Sequence, residues 1–309
     1  MPSATRTLYP ATCISVVIPT MNRAAVLLDT LRDLQKQTFR NYEVIVVDQS
    51  DEPNLEAEAL LAGFDVPARY FYITDFRGLP EARNFGWRQA VNDIVVYTDD
   101  DIRCGREFLQ AHFDAHVKTG AAMVAGGITE AKGDLDQPGG TGSFNWWTAT
   151  PRGNFHKKEE GWCISGKGCN FSVLKQALAE VGGFDQNLTV GAALYEETEL
   201  GLRLHAAGFR CWFAPEAHLT HLAAPMGGCR VGPDVERYVF GMAHNRAILI
   251  FRHLKLWHRP TALLRMVLFG ISYSRPARNL APLRSTFIGL AAGRRAAPRL
   301  KSSTGMEGT

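Results

Sequence analysis

Four short runs of β-branched and aromatic residues, each closed by polar side chains and spaced from the next by a helix-length segment, constrain this chain most. Residues 14–18 end at Pro19 and Thr20, and residues 43–47 end at Asp48. Residues 69–73 are followed by Asp75 and Arg77, and residues 93–98 run into Asp99, Asp100 and Asp101. A helical pattern from Ala24 to about Gln37 follows the first run, and further helical segments separate the others. Alternation of this kind predicts an α/β fold, a Rossmann-like, mostly parallel sheet with helices on both faces. Open sheets bind ligands beyond the carboxyl ends of their strands. Thr20, Asn22, Arg23, Asp48, Arg77 and the three consecutive aspartates are therefore candidate site residues before any chemistry is considered.

The rest of the chain is less regular. Residues 126–161 are rich in Gly, Pro and polar side chains, with Trp146 and Trp147 among them, and read as loops and short strands. Regularity resumes over residues 173–181, which stop at Gly182 and Gly183, and again over 196–207, a helix ending at Gly208. Residues 210–214 read as a strand, 234–256 as a long amphipathic helix, and residues beyond Pro298 as disordered. Three parts follow: 1–125, 126–232, and 233–309, a basic helical extension.

Hydrophobic and charged fractions of 46% and 21% are ordinary for a globular chain of 309 residues, which excludes general disorder. No apolar run is long enough to span a bilayer, the start lacks a signal-like apolar region, and six scattered cysteines without metal-type spacing fit reduced thiols. A cytoplasmic location is the expectation. The net charge of +3 hides a division: from Arg252 onward eleven Lys/Arg face one Glu, so this segment carries +10 and residues 1–251 carry −7. With apolar stretches such as 263–273, the basic segment can rest on anionic headgroups at the inner face of the cell membrane. A solvated tail explains it equally well; nucleic acid is not expected, because no binding motif accompanies the charge.

Three adjacent carboxylates at the end of a buried-looking strand repel one another unless a cation or solvent compensates. Mg²⁺ or Mn²⁺ suits such hard oxygen ligands. Taken alone, the triplet is explained as well by capping of the segment that begins near Gly105.

The ordered set of motifs carries more. Val16-Val17-Ile18-Pro19-Thr20-Met21-Asn22-Arg23 opens it, followed by Gln37-Thr38-Phe39 and by Glu43-Val44-Ile45-Val46-Val47-Asp48-Gln49-Ser50. Arg77-Gly78-Leu79-Pro80-Glu81-Ala82-Arg83-Asn84 precedes Thr98-Asp99-Asp100-Asp101, and Gly182-Gly183-Phe184-Asp185 precedes Tyr195-Glu196-Glu197-Thr198-Glu199. From about Ile14 to Arg230 this resembles the inverting family 2 glycosyltransferases, which have the GT-A fold.

The resemblance implies a nucleoside diphosphate-sugar donor bound by the half 1–125, a glycan or lipid-linked acceptor bound by the acceptor-binding and catalytic half 126–232, and roles for named residues. Pro19, Thr20, Asn22, Arg23 and Asp48 would hold the base and ribose, Arg77 and Arg83 would lie near the base or diphosphate, and Asp99 and Asp100 would frame the ribose. Asp101, Asp99 and His221 would bind the metal, His221 fitting better than His218 because Gly227-Gly228-Cys229-Arg230 follows it. Glu197 would be the general base. Trp162, Gly168, Asn170 and Glu196 would face the acceptor, and Trp146 and Trp147 could stack on sugars.

Two departures stand out: Gln49 follows Asp48 where many members carry a second aspartate, and Glu196-Glu197 replaces the usual Glu-Asp. Absence of a Gln-x-x-Arg-Trp segment and of spanning helices favours transfer of one sugar over polymer synthesis. Two other readings remain. A sugar-phosphate nucleotidyltransferase would open on a glycine-rich loop with a nearby lysine, which Pro19 to Arg23 lacks; a silent carbohydrate-binding or scaffold protein would not need Asp101 and Glu197. The transferase reading requires Glu197 and Asp101 to meet at one pocket.

Overall fold

The first β-branched run forms β1 (Ile14–Thr20), buried along its whole length, and leads through a short loop into α1 (Ala24–Gln35). The structure is a computed structural model and describes residues 13–224, 234–298 and 300. The expected alternation continues through β2 (Tyr42–Asp48), α2 (Leu55–Ala62), β3 (Ala68–Tyr72), α3 (Leu79–Gln89) and β4 (Ile94–Thr98). Their strands lie parallel in the order β3-β2-β1-β4, with Thr20 in register with Asp48, so the polar closing residues share one edge of the sheet. β2 and β4 are buried end to end, as expected of strands covered on both faces.

After β5 (Ile102–Cys104) and α4 (Phe108–Thr119), the sheet is built differently. β6 (Met123–Glu130) passes through Gly126 and Gly127 inside the stretch that reads as loop. Glycine is needed there for close approach: a Cβ on Gly126 would stand 2.3 Å from the Ala217 carbonyl oxygen, and one on Gly127 2.4 Å from that of Pro215. A small hairpin, β7 (Phe144–Asn145) with β8 (Thr150–Pro151), and β9 (Gly161–Cys163) follow. Residues 173–181 do not form one element. β10 (Asn170–Leu174) inserts antiparallel between β4 and β6, and α5 (Lys175–Val181) begins only after it.

α6 (Glu196–Ala206) and β11 (Cys211–His221) come next; β11 runs seven residues past Ala214, parallel to β6 and bulged between Ala214 and Leu219. It thereby carries His221 to the same edge as the aspartates. β5 and β9 flank β11 antiparallel.

The final helices are α7 (Val235–His253), α8 (Arg259–Ala277) and α9 (Ala281–Ala296). They share a second apolar cluster, including Ala247, Ile250, Met266 and Leu290, which also takes in Leu202 of α6. Ion pairs from Arg252 to Asp185 and Glu199 tie α7 to the α6 region, so these helices are packed onto the second half of the sheet. Among the described residues no helix is long and apolar enough to cross a membrane. The expected loop at 227–230 lies outside the described residues, as does all of the expected disordered tail beyond Pro298 except Leu300.

Candidate active site

The three aspartates leave β4 pointing in different directions. Asp100 turns inward, where Thr20 Oγ1 donates to it at 2.6 Å and Arg23 Nη1 at 2.9 Å. Burial pushes its carboxyl up to about 7, against the pull of Arg23 and Thr20. Asp101 is fully buried, and its Oδ2 accepts the Ala224 N–H at 2.7 Å, while its Oδ1 has no hydrogen-bond partner. Asp99 is the partly open member, 3.5 Å from Arg83 Nη2.

His221 closes the cluster from β11, with Nε2 3.4 Å from Asp101 Oδ1 and 3.9 Å from Asp99 Oδ2. One ligand atom from each of Asp99, Asp101 and His221 lies within 4.8 Å of the others. The orphaned Asp101 oxygen, a second carboxylate and an imidazole nitrogen form a donor set that fits Mn²⁺ or Mg²⁺. Glu130, at the end of β6 and in register with His221, takes the other ring nitrogen at 2.9 Å. A carboxylate in that place fixes the ring's orientation and the tautomer. Burial opposes a charge on His221, yet contacts with Asp101 and Glu130 raise its pKa to about 9, so a proton competes with a metal for Nε2. Glu130 also pairs with Lys167; burial acts against it, but His221 and Lys167 hold its carboxyl at about 2. Glu130 was missed in the sequence because the glycines of β6 hide a strand, and its closing carboxylate with it.

Two cavities meet at this cluster. The first, about 570 Å³, lies over the ends of β1 and β2 and is lined by Pro19, Thr20, Arg23, Gln49, Arg77 and Asp100 among others. The second, about 520 Å³, is lined by Lys167, Gly168, Glu196 and Glu197 among others. Asp99 and His221 line both. Volumes of this size suit small-molecule groups.

Glu196 and Glu197 occupy the first turn of α6, where the helix dipole favours anions. Glu196 is buried and paired with Arg83, whose Nη2 also donates to the Gly168 carbonyl at 2.7 Å. Among the described residues Glu197 forms no ion pair, and it opens to the second cavity. The segment leading into α6 is strained: Ala193 and Tyr195 have φ of 48° and 76°, outside the range that suits such side chains. α7 holds it there. Asn245 Nδ2 donates to the carbonyls of Leu188, Val190 and Leu194 at 3.0, 3.3 and 3.1 Å, and Arg246 reaches the Tyr195 hydroxyl. On the other side Asn84 clamps Phe184 by paired 2.8 Å bonds, beside Gly183 at φ 70°, where a Cβ would strike the Asn84 side chain. Both the Gly-Gly-Phe-Asp and the Glu-Glu segments are thus braced by distant residues.

The sequence profile described as Glycosyl transferase family 2 matches residues 15–182, just over half of the 309 residues. The chain belongs to glycosyl transferase family 2. It is 33% identical over 88 residues to an uncharacterized glycosyltransferase, YwdF, of Bacillus subtilis, covering 28% of this chain and 32% of that one. It is 26% identical over 279 residues to validoxylamine A glucosyltransferase of Streptomyces hygroscopicus, covering 76% of this chain and 64% of the relative. The chain thus spans only about a third of the length of relatives such as YwdF. A crystal structure of GalNAc-T7 with UDP, GalNAc and Mn²⁺ superposes with a TM-score of 0.60 at 18% identity, over 78% of this chain and 51% of that one, which establishes the GT-A fold.

Several residues singled out in the sequence stand elsewhere in this family 2 glycosyltransferase. Asp48 is buried, bonded to the Tyr70 hydroxyl at 2.6 Å and the Ser50 N–H at 2.8 Å, and it is Gln49 that faces the first cavity. Asn22 bonds Ser50 and Asp51 instead of lining that cavity. Arg83 is fully buried but lines the second cavity, where it pairs with Glu196 and lies 3.5 Å from Asp99. Asn170, expected at the acceptor, has no exposed surface; its amide is used by the Gly127 and Ala217 carbonyls and by His112. Trp162 pairs with Trp212 at the opposite end of β11, roughly 25–30 Å of strand from His221, and packs under Arg210. Trp146 and Trp147 lie outside both cavities: Trp147 packs on His258, and Trp146 on Phe144. His218 faces Thr129. Arg77 lines the first cavity, Gly168 and Glu196 the second.

Proposed function

We propose that this chain is a working transferase that moves one sugar from a nucleoside diphosphate-sugar to a hydroxyl of a glycan or lipid-linked acceptor, by metal-dependent single displacement with inversion. The observation that carries the reading is the junction of two cavities at Asp99 and His221, which cluster with the buried Asp101, with Glu197 open to the second cavity only.

In this reading Gln49, Arg77 and the loop from Pro19 to Arg23 receive the nucleotide in the first cavity. Asp99, Asp101 and His221 would hold Mn²⁺ or Mg²⁺, which when bound supplies Lewis-acid stabilisation of charge on the departing diphosphate. Glu130 and Lys167 keep His221 turned toward that position. Glu197 accepts the proton of the acceptor hydroxyl as its oxygen bonds to the anomeric carbon; the carbon–oxygen bond to the diphosphate breaks, and that oxygen keeps the electron pair. One carboxylate base opposite the leaving group suits inversion, whereas retention by double displacement needs a matched pair of carboxylates flanking the bond. Glu196, the neighbouring carboxylate, is already committed to Arg83.

Incubation with a panel of nucleotide sugars, with and without Mn²⁺, followed by NMR of the product's anomeric centre, tests the reading. Metal-stimulated release of nucleoside diphosphate and an inverted product are expected. Retained configuration, or no turnover of any donor, overturns it.

A further inference from the structure

α8 and α9 each bury one stripe and expose the opposite one. Ala262, Met266, Gly270 and Ser274 form the buried stripe of α8 at four-residue spacing; Thr286, Gly289, Leu290 and Gly293 form that of α9. The pair is tightly seated. A Cβ on Gly270 would stand 2.4 Å from Thr286 Oγ1, and one on Gly293 2.1 Å from the His244 carbonyl oxygen of α7. This seating fixes which side chains look outward.

The outward stripes combine apolar side chains with positive charge. Leu264 and Leu268 on α8 and Phe287 on α9 are each more than half exposed, at 59%, 56% and 52%, and Ile288 is nearly so. Arg265, Arg275, Arg284 and Arg295 are exposed along the same helices. Directly before α8, Leu256 and Trp257 are 71% and 63% exposed. The exposed Trp146-Trp147 tip adjoins them, because Thr261 Oγ1 donates to the Trp147 carbonyl at 2.5 Å and the Trp147 ring lies 4.4 Å from that of His258. From Arg252 through Met306 the sequence has no Asp or Glu.

Each alternative partner matches only half of this surface. A second copy would bury the leucines but set arginine against arginine, and a nucleic acid would use the arginines but not Leu264, Leu268 and Ile288. An anionic bilayer uses both: acyl chains take the apolar side chains, headgroups take the arginines, and tryptophans prefer the boundary between the two. We propose that residues 256–258, α8 and α9, together with the Trp146-Trp147 tip, form a docking face for an anionic membrane surface. It goes beyond the transferase reading and stands without it. Pro151 and Arg152, which continue the Trp146-Trp147 hairpin, line the second cavity, so docking also holds that cavity beside the lipid; only this consequence rests on the transferase reading.

The test is co-sedimentation of the full chain with vesicles of equal parts phosphatidylglycerol and phosphatidylcholine, against pure phosphatidylcholine. Binding to the anionic vesicles is expected, at least about tenfold stronger than to the neutral ones and weakened by salt. The combined Arg275→Gln, Arg284→Gln and Arg295→Gln variant should bind on the order of 100-fold more weakly. Trp257→Ser with Leu268→Ser and Phe287→Ser should abolish binding while the melting temperature is kept, since all three side chains are exposed. No sedimentation, undiminished binding by either variant, or a dimer in light scattering that the apolar substitutions dissolve, each overturns the proposal. Donor hydrolysis on the same samples reads the transferase assignment separately.

Discussion

The two halves of the sheet reach the site by different routes. In β1 to β4 the polar residues stand where strand register alone sets them, and each has its partner on a neighbouring strand end or loop: Thr20 with Asp100, Asp48 with Tyr70, Asn22 with Asp51. From β6 to β11 an antiparallel insertion, a bulge and a strained approach to α6 assemble the site, and the supports come from far along the chain. Arg83 braces Glu196 across 113 positions, and Asn245 holds Leu194 across 51. The first half is therefore held by contacts between neighbouring strand ends and loops, and the second by clamps from the helices α3 and α7. Remote substitutions should reach the chemistry mainly through the second half.

The largest test of that contrast sets Asp101 against Asp48. Asp101→Asn keeps the shape but removes one charge from the metal donor set, and should lower kcat about 10³-fold or more while raising the Mn²⁺ concentration needed for half-activation. Asp48→Asn should leave that midpoint unchanged. A common shift in both Mn²⁺ titrations would erase the distinction between an aspartate of the metal cluster and one bonded only inside the protein.

Next, Glu197→Gln should reduce transfer by about 10²–10⁴-fold with donor affinity preserved, measured as kcat beside the dissociation constant for the nucleotide sugar. Loss of donor binding in step with turnover would assign Glu197 to the donor side.

Arg83→Met should cost about 3–5 kcal/mol of stability in denaturant unfolding, because Glu196 is left buried without its cation. Arg77→Met, in the exposed pair with Asp51, should change stability by under about 1 kcal/mol. Equal effects would show that burial is not what separates the two arginines.

Stability should also fall with acid through His112 and His116, the buried histidines beside β10. Burial lowers them to about 3 and about 4, even though each accepts support from Asn170 or the Ala121 carbonyl. Their folded pKa values lie below the unfolded value of about 6.5, so the unfolded chain binds more protons as pH drops. The stabilisation present above pH 6.5 should therefore shrink between about pH 6.5 and pH 4, by roughly 3 kcal/mol for each histidine. Melting curves across that window check it, and a flat profile contradicts the buried neutral imidazoles.

The smallest effect on turnover is expected for Asn245→Ala. It frees three carbonyls near α6, at a cost of about 1–3 kcal/mol, and kcat should fall more than donor affinity. Unchanged kcat would mean that α7 braces the fold without positioning Glu197.

The sequence by itself determined the βα alternation of the first half, the edge at which its polar residues gather, and the family to which their order belongs. These features are legible because strand and helix periods are local, and parallel register brings strand ends together. Four points could be decided only by tertiary structure: that Asp48 and Asn170 are buried polar anchors, that Arg83 is a brace, that Glu130 orients His221, and that α7 holds the approach to Glu197. A buried polar group must find its partner wherever the fold supplies one, and for Asp48, Asn170 and Arg83 the partners include Tyr70, Gly127 and Glu196, 22 to 113 positions away. No local pattern encodes such pairings, so which carboxylate faces the ligand and which is spent inside the protein is settled when distant strands meet.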